Sequence, residues 1–442
     1  MRWGTYEASY HNLPRVLNTL CERNPGSYFE IKHYNLPHDP TKHVLRRAFF
    51  VLGACINAFQ DRRPVICIDG TFLTGRYKGT MPTAIAADGN NRVRTGTARY
   101  WFLERIKSCI VRDRRDVRVI HDRHGGIMQA VQDLREGSVQ RQRTPKWVDL
   151  KSRWCMRHMG ANFRSGSRRP CSRNQEKKFN VLWKKLDEHT KKRGAELRSR
   201  GVNAEDEEPI AMENVGVDGP NAWSFDQVFF EWIEHEPKEK WALLHDEGGA
   251  RYGIMTTNLA EVYNRVLRGE RSMPLVGIVE FYIYRTTQYF RERYPKAEKV
   301  FKDHRLIYGQ KFFEYMDKAN KKAAGHRVRN MGVAEHRFEV LCRDKGRRGG
   351  NHERHVQECV LYNNHCVCSC HKPRLYHRPC THVIAACQEA GGLNAHMFVS
   401  PYYMKDAIYH TWKSEIYGFA MVGNFTEIPM VPPISYPILT PT

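Results

Sequence analysis

Cysteines and histidines are concentrated in one short stretch of this 442-residue chain. Between Asn364 and Cys387 it has five cysteines and four histidines, and these include Cys-x-Cys, a nine-residue spacer and Cys-x-His. Zinc in structural sites takes four tetrahedral thiolate or imidazole ligands, commonly as two close pairs joined by a loop. The sequence therefore predicts a structural Zn²⁺ site with the ligands Cys368, Cys370, Cys380 and His382.

Other residues of the same stretch compete for the first ligand pair: Cys366, His365, His371 and His377. The alternative without metal is a set of buried, unliganded thiols. Six of the 13 cysteines fall between Cys359 and Cys387 and the rest are scattered, which does not resemble a secreted disulfide framework. Two close pairs in a reducing compartment favour metal over free thiols.

The charge balance indicates a polyanionic partner. Lysine and arginine outnumber the acids by 71 to 48, which gives a formal net charge of +23. Nucleic acid is the favoured partner. A membrane is disfavoured, because no uninterrupted apolar run approaches the ~18 residues of a spanning helix.

The hydrophobic periodicity predicts helices first and strands afterwards. Residues 12–59 are predicted as two helices, one capped by Asn12 and one from about Thr41. The predicted strands are 64–73, 81–91 and 117–122, and a charged helical region follows over 131–250. Further helices are predicted near 258–270, 277–294 and 310–324, with short strands at FEVLC and HVQEC. The aromatic stripe of 277–294 is interpreted as core.

Two acidic residues occupy positions where carboxylates could bind metal. Asp69 and Asp122 each end an apolar strand, and so lie at the edge of a sheet. Both also have a purely structural interpretation, and so does Glu261. Asp69 could start a turn with Gly70, and Asp122 could cap the helix that follows it. Glu261 could form a capping box with Asn258.

The segment CSCHKPRLYHRPCTH resembles the SWIM zinc finger. It keeps the nine-residue spacer of plant members and has Arg378-Pro379-Cys380 where the family has Ile-Pro-Cys. That register favours Cys368 and Cys370 as the first ligand pair. The preceding FEVLC and HVQEC segments resemble the hairpin that leads into plant SWIM fingers.

Most of the remaining chain resembles plant Mutator-like element transposases. The matching segments are RRPVICIDGTFLTGRYKGTMPTAIAADGNN, VRVIHDRHGGIMQAV, WCMRHMGANF and TTNLAEVYNRVLRGERSMPL. With the SWIM segment, the resemblance spans roughly residues 10–420. It implies a DDE-type enzyme in which Asp69, Asp122 and Glu261 hold two Mg²⁺ or Mn²⁺ ions for DNA cleavage and strand transfer. Cys155 and His158 belong to the family signature, although as lone residues they are more often packed than liganded.

The implied fold class is α/β, an RNase H-like core interrupted by an α-helical insertion, plus a small C-terminal SWIM zinc module. The expected segments are helical 1–60, core 61–130, basic insertion 131–250, catalytic helix 251–330, SWIM finger 335–395 and tail 396–442. In related transposases the insertion faces DNA, although a basic run is also typical of a solvated surface. The residues expected to contact DNA are Lys184, Lys185, Lys191, Lys192 and Arg193. The resemblance also implies a nuclear protein and leaves a homo-oligomer open.

The chain departs from the family after Asn91, where an apolar third strand is expected and RTGTARY follows instead. The strand MPTAIAAD should then be an exposed edge. An N-terminal DNA-recognition domain is also expected to be missing. The sequence therefore leaves two functions open: an active transposase, or a catalytically inactive zinc-binding derivative that binds DNA or proteins, as transcription regulators do.

Overall fold

The computed structural model describes residues 4–36, 39–87, 99–161, 180–181, 184, 188, 236–332, 336–342, 356–391, 393–418 and 430–431. Within these ranges the chain forms a mixed α/β structure with three β-sheets. None of the helices in these ranges combines the length and the apolar composition that crossing a bilayer requires.

The amino-terminal region is a helix, a β-hairpin and a second helix: α1 (Tyr6–Arg23), β1 (Tyr28–Leu36), β2 (Asp39–Val51) and α2 (Gly53–Gln60). A short strand, Met430–Val431, pairs in parallel with β2. Helix α1 starts earlier than predicted, because the Thr5 hydroxyl accepts a hydrogen bond from the Ala8 backbone N–H at 3.1 Å. Asn12 therefore lies inside the helix and does not cap it.

The prediction of a helix from about Thr41 is wrong, because most of that segment is strand β2. The pairing register passes from Lys32 opposite Arg47 to His33 opposite Leu45, so Arg46 is an extra, bulged residue. The bulge allows Val44 and Phe49, five residues apart, both to be fully buried. The bulge breaks the strict alternation of buried and exposed residues along the strand. The spacing of the apolar residues therefore resembles that of a helix.

The central sheet carries the candidate acidic residues. Its strands are β3 (Val65–Leu73), β4 (Gly79–Ala86), β5 (Arg118–His121) and β6 (Lys151–Trp154). Their order is β4-β3-β5-β6, with β3 antiparallel to β4 and parallel to β5, and β5 parallel to β6. The predicted strands 64–73 and 117–122 and the described part of 81–91 are confirmed. The prediction that 131–250 is helical is wrong at β6, which is a strand of this sheet. As expected for MPTAIAAD, no described strand pairs with the outer side of β4, and residues 88–98 lie outside the described ranges.

Helices cover both faces of this sheet: α3 (Arg99–Arg105, continued by the π-helix Ile106–Val111), α4 (Gly125–Glu136), α5 (Met156–Ala161), α6 (Lys238–Trp241), α7 (Asn258–Val266) and α8 (Leu275–Lys302). Alternate residues of β3 join two different cores. Ile66 and Ile68 pack in the core that contains α3 and α4. Val65 and Cys67 pack in the core that contains α1, α7 and α8. The predicted burial of the aromatic stripe is confirmed on one side of α8, where Phe290 is 4% exposed.

The carboxy-terminal region is a separate sheet packed against helices. Its elements are α9 (Gln310–Ala323), β7 (Arg327–Gly332), β8 (Arg337–Leu341), β9 (Val356–Leu361), β10 (Cys366–Cys368), α10 (Lys372–Tyr376), α11 (Thr381–Glu389) and α12 (Lys405–Trp412). The sheet is antiparallel, in the order β10-β9-β8-β7. One hydrophobic cluster joins it to α9 and α11 and runs from Tyr308 to Met404. The packed unit is thus longer than the predicted 335–395.

Close backbone contacts attach this carboxy-terminal unit to the central region. His377 Nε2 lies 2.9 Å from the Gly249 carbonyl oxygen, and its ring stacks on Tyr252 at a centroid distance of 3.9 Å. Gly249 has φ +67°, and a Cβ there would lie 1.8 Å from the Arg374 carbonyl oxygen. Glycine is required at this contact both by conformation and by space.

Candidate metal centres

The four predicted zinc ligands lie together in the carboxy-terminal unit. Their ligand atoms, three sulfurs and one imidazole nitrogen, all lie within 4.8 Å of one another. Cys368, Cys370 and Cys380 are each at most 2% exposed, and His382 is half-buried. The structure therefore contains a Cys₃His cluster that could hold a metal ion such as zinc.

The distances within the cluster fit a tetrahedral ion. His382 Nδ1 lies 3.5 Å from Cys368 Sγ and 3.7 Å from Cys380 Sγ. Zinc bonds of ~2.3 Å to sulfur and ~2.0 Å to nitrogen place two such ligands about 3.5 Å apart in a tetrahedron. Four protein ligands leave no open coordination position, which is typical of a structural site.

Secondary structure fixes each of these ligands. Cys368 ends strand β10, and Cys370 follows in the adjoining turn. Cys380 is the N-cap of helix α11, where its sulfur accepts a hydrogen bond from the Val383 backbone N–H at 3.5 Å. His382 lies in the first turn of the same helix. A strand end and a helix start thus supply one ligand pair each.

Hydrogen bonds among the ligands favour thiolate at Cys370, whereas the pKa of Cys368 is raised, chiefly by hydrogen bonds to Cys359 and Cys370, and that of Cys380 is raised chiefly by burial. The thiols of Cys368 and Cys380 lower the pKa of the Cys370 thiol far below its ordinary range. Burial opposes a charge on His382, but hydrogen bonds to Cys342, Cys370 and Cys380 outweigh it and raise the pKa of His382 to about 11. Zinc needs neutral imidazole, so its binding must release a proton from His382 and weaken in acid.

The competing candidates lie outside this ligand group. His365 stacks on Tyr362, and its Nδ1 lies 2.8 Å from Asn364 Oδ1. His377 contacts the central region as described above. His371 has left-handed backbone geometry at the start of α10, and Cys366 begins strand β10 half-buried.

Two further cysteines support the cluster and were missed by the sequence reasoning. Cys342 Sγ lies 3.2 Å from His382 Nε2, the ring nitrogen that faces away from the cluster sulfurs. Cys359 Sγ lies 3.4 Å from Cys368 Sγ. The segments FEVLC and HVQEC each end in one of these cysteines, which was the available signal. Partners of this kind orient metal ligands and fix the histidine tautomer.

Asp69 and Asp122 lie next to each other at one end of the central sheet. Cys67 of β3 pairs with Ile120 of β5, and each aspartate comes two residues later on its own strand or just past it. Burial raises the pKa of the Asp69 carboxyl, and the negative charges of Glu261 and Asp122 raise it further, against the opposing effects of His158 and Asn264. The carboxylates of Asp122 and Glu261 therefore lie close enough to Asp69 for their charges to change its pKa.

The observed positions of the three acids differ from the interpretations of Asp69 as a turn residue, Asp122 as a helix cap and Glu261 as part of a capping box. Asp69 lies inside strand β3 opposite Thr83, not in a turn, and its Oδ2 accepts a hydrogen bond from Asn264 Nδ2 at 2.8 Å. Asp122 accepts a bond from the His124 backbone N–H at 3.3 Å, while His124 itself caps α4. The N-cap of α7 is Thr257 instead of Asn258, so the predicted capping box does not form.

The Glu261 carboxylate contacts Arg157 and His158. Its Oε2 lies 2.5 Å from Arg157 Nη1, and its Oε1 lies 3.5 Å from His158 Nε2. Asp69, Asp122 and Glu261 do not form a group whose ligand atoms all lie within 4.8 Å of one another; Glu261 forms such a group with Cys155 and His158 instead. That grouping was not predicted from the sequence.

The thiol and imidazole of this second group favour opposite charges. Burial opposes ionisation of Cys155, but interactions with His158 and Thr257 outweigh it and lower the pKa of the thiol. The hydrogen bond to Cys155, with the nearby negative charges of Asp69 and Glu261, raises the pKa of His158 to about 9 against its burial. The two shifts thus favour a thiolate at Cys155 and an imidazolium at His158, beside Glu261.

Most of the predicted DNA contacts lie outside the described residues, namely Lys185, Lys191, Lys192 and Arg193. Lys184 is helical and exposed. Comparisons with protein-family models, with curated proteins and with solved structures gave no match to this chain.

Proposed function

We propose that this protein is a Mutator-like transposase or a derivative of one, with an RNase H-like core and a carboxy-terminal SWIM zinc module. Its proposed activity is divalent-metal-dependent cleavage and strand transfer of DNA. DNA is the proposed partner, in keeping with the net charge of +23, and the nucleus is the proposed compartment.

One observation carries the proposal: the charges of Asp122 and Glu261 both act on Asp69 at one end of the central sheet, although 53 and 139 residues separate the three acids along the chain. Asp69 in β3 and Asp122 just past β5 lie at matching positions of neighbouring parallel strands, and Glu261 comes from α7, which packs on β3 and β4. Three buried or half-buried carboxylates repel one another, and divalent cations are the usual reason for such a set.

The order of elements supports the same proposal. A β-hairpin, β3 and β4, is followed by two parallel strands, and the glutamate helix comes only after the long segment 162–235. This is the arrangement that an RNase H-like core with an insertion before its last acidic residue would have.

The side chains around the acids have positioning roles. Asn264 donates to Asp69 and orients its carboxylate, while Arg157 and His158 hold Glu261. An Mg²⁺ or Mn²⁺ pair, when bound, would lower the charge of the phosphodiester and activate the attacking water or 3′-hydroxyl. Asp69, Asp122 and Glu261 are the residues that would hold it.

The second candidate is a non-catalytic zinc-binding derivative that interacts with DNA or with other proteins. The contacts that favour this second candidate are the ones that other side chains make with the carboxylate oxygens of Asp69 and Glu261. Asn264 bonds to Asp69 Oδ2, and Arg157 pairs with Glu261 Oε2, so two of the three acids already have side-chain partners. Divalent ions must compete with these contacts.

A nicking assay on the purified full chain separates the two. Supercoiled plasmid is incubated with wild-type protein in Mg²⁺ or Mn²⁺, alongside Asp69→Asn and the matched control Asp317→Asn. Asp317 is an exposed acid on α9 that pairs only locally with Lys321. The transposase proposal predicts nicking by wild type and Asp317→Asn but not by Asp69→Asn. Absence of nicking in every divalent ion leaves the non-catalytic derivative.

A further inference from the structure

We infer a second zinc site, formed by Cys155, His158 and Glu261. A thiol sulfur, an imidazole nitrogen and a carboxylate oxygen lie within 4.8 Å of one another here. Cys155 is fully buried and Glu261 is 8% exposed, so two of the three ligand side chains lie below the protein surface. The site is separate from the Cys₃His cluster in the carboxy-terminal unit, but it shares Glu261 with the proposed divalent-ion pair, so zinc here and that pair compete for one carboxylate.

Backbone hydrogen bonds connect the segments that carry or adjoin the three ligands. The Cys155 N–H donates to the His121 carbonyl oxygen at 2.8 Å, and the Met156 N–H donates to the Met255 carbonyl oxygen at 2.9 Å. Cys155 directly precedes α5 and His158 lies one helical turn further on, which places both side chains on one side of the helix. The site is thus assembled from fixed elements before any metal binds.

The sulfur is prepared to bind as thiolate. The Thr257 backbone N–H donates to Cys155 Sγ at 3.2 Å. The Thr257 hydroxyl lies 3.1 Å from the same sulfur and 3.2 Å from Glu261 Oε1, so it can donate to one of the two at a time. Thr257 is fully buried, and these donors stabilise negative charge on the ligand atoms where water cannot.

Glu261 presents one oxygen to the site and keeps the other outside it. Oε2 forms a salt bridge with Arg157 at 2.5 Å, whereas Oε1 faces His158 Nε2 at 3.5 Å. Arg157 thereby acts as an outer partner that orients the carboxylate, as supporting groups of metal ligands commonly do.

The donor set points to zinc. A mixture of sulfur, nitrogen and oxygen suits a borderline-soft ion, whereas Mg²⁺ prefers oxygen alone. One thiolate, one carboxylate and a neutral imidazole balance the two positive charges of the ion. Three protein ligands leave a fourth tetrahedral position open, in contrast to the closed Cys₃His cluster.

Zinc stoichiometry of the full chain tests the inference. Elemental analysis should find two zinc ions per wild-type chain, and one in each of Cys155→Ser, His158→Asn and Cys380→Ser. Cys21→Ser, which changes a half-buried cysteine of α1, should keep both. A single zinc that is lost only in Cys380→Ser would overturn the inference.

Cobalt gives a second readout that does not depend on activity. In Cys380→Ser protein, Co²⁺ should produce a thiolate charge-transfer band that disappears when Cys155→Ser is added; persistence of the band would contradict the site. Should Cys155→Ser fail to fold, His158→Asn decides, because the His158 side chain is 30% exposed and tolerates change better. Nicking is scored separately through Asp69→Asn, so failure of the zinc site and failure of the proposed nuclease are distinguishable.

Discussion

Asp69 shows how one buried carboxyl links metal binding to stability. Its pKa is raised, chiefly by burial and then by the charges of Glu261 and Asp122. A carboxyl whose pKa is higher in the folded state binds its proton more tightly there than in the unfolded chain. Its contribution to stability therefore decreases as the pH rises from the ordinary pKa through the raised one.

Replacing Asp69 with asparagine should remove this dependence. Without added divalent ions, Asp69→Asn should be at least as stable as wild type at pH 7, and the difference should vanish in acid below the ordinary pKa of aspartate. With Mg²⁺ or Mn²⁺ the order should reverse, because only wild type gains a ligand. Thermal unfolding across pH measures both effects, and a wild type that gains nothing from divalent ions would contradict the proposed metal pair.

The role of Cys342 in zinc binding depends on its contact with His382. Its sulfur lies 3.2 Å from His382 Nε2 and can hold the ring with Nδ1 towards the other ligands. Cys342→Ala should lower zinc affinity by about 10- to 100-fold, the usual cost of losing such a partner. Competition with a chelator measures this. Cys366→Ser, a half-buried cysteine outside the ligand group, is the control, and equal affinities in the two variants would exclude the role of Cys342.

At the scale of elements, the sequence predicted the helices and strands that depend on a local residue pattern. It missed those features that depend on pairing with a distant segment. Strand β3 is a short apolar run that ends in an acid, and α11 follows its cysteine cap directly, so both were predictable. Strand β2 was not, since the bulge at Arg46 is defined by its partner strand. The grouping of Glu261 with Cys155 could not be predicted either, because the two residues are 106 positions apart in sequence and come together only in the folded chain.

The zinc cluster and its surrounding elements should unfold together. Cys380 is both a ligand and the cap of α11, and α11 packs in the same hydrophobic cluster as Phe312 and Met316 of α9. Zinc binding contributes on the order of 10 kcal/mol to the folding of small metal modules. Cys380→Ser should therefore expose the chain to proteolysis from about Tyr308 onwards.

Limited proteolysis followed by mass spectrometry locates the cuts. The central sheet has two cores of its own, so a fragment ending before Tyr308 should persist. Cys366→Ser again serves as the control and should be cut no faster than wild type. Protection of residues 308–404 in the zinc-free variant would show that the cluster does not depend on metal.

At the scale of the whole molecule, the net charge of +23 predicts that phosphate contacts supply most of the affinity in the proposed binding to DNA. Each contact releases counterions, and affinity falls with salt by a logarithmic slope of about 0.9 per phosphate. Neutralising Lys184, Lys185, Lys191, Lys192 and Arg193 together should weaken binding and flatten that slope.

The matched control neutralises five exposed lysines elsewhere: Lys299, Lys302, Lys318, Lys321 and Lys322. Affinities are measured over a salt series for both variants. Flattening in the first variant alone supports the predicted surface. Flattening in the control alone would place the DNA on α8 and α9.

The central claim is that Asp69, Asp122 and Glu261 together hold a pair of divalent ions. Electron paramagnetic resonance during Mn²⁺ titration of the full chain, with zinc in the Cys₃His cluster alone so that Glu261 is available to Mn²⁺, tests it most directly, because two Mn²⁺ ions ~3.5–4 Å apart couple magnetically. The account predicts a coupled pair in wild type that is lost in Asp69→Asn and Asp122→Asn and kept in Asp317→Asn. Isolated Mn²⁺ signals in wild type, or a coupled pair that survives Asp69→Asn, would contradict it.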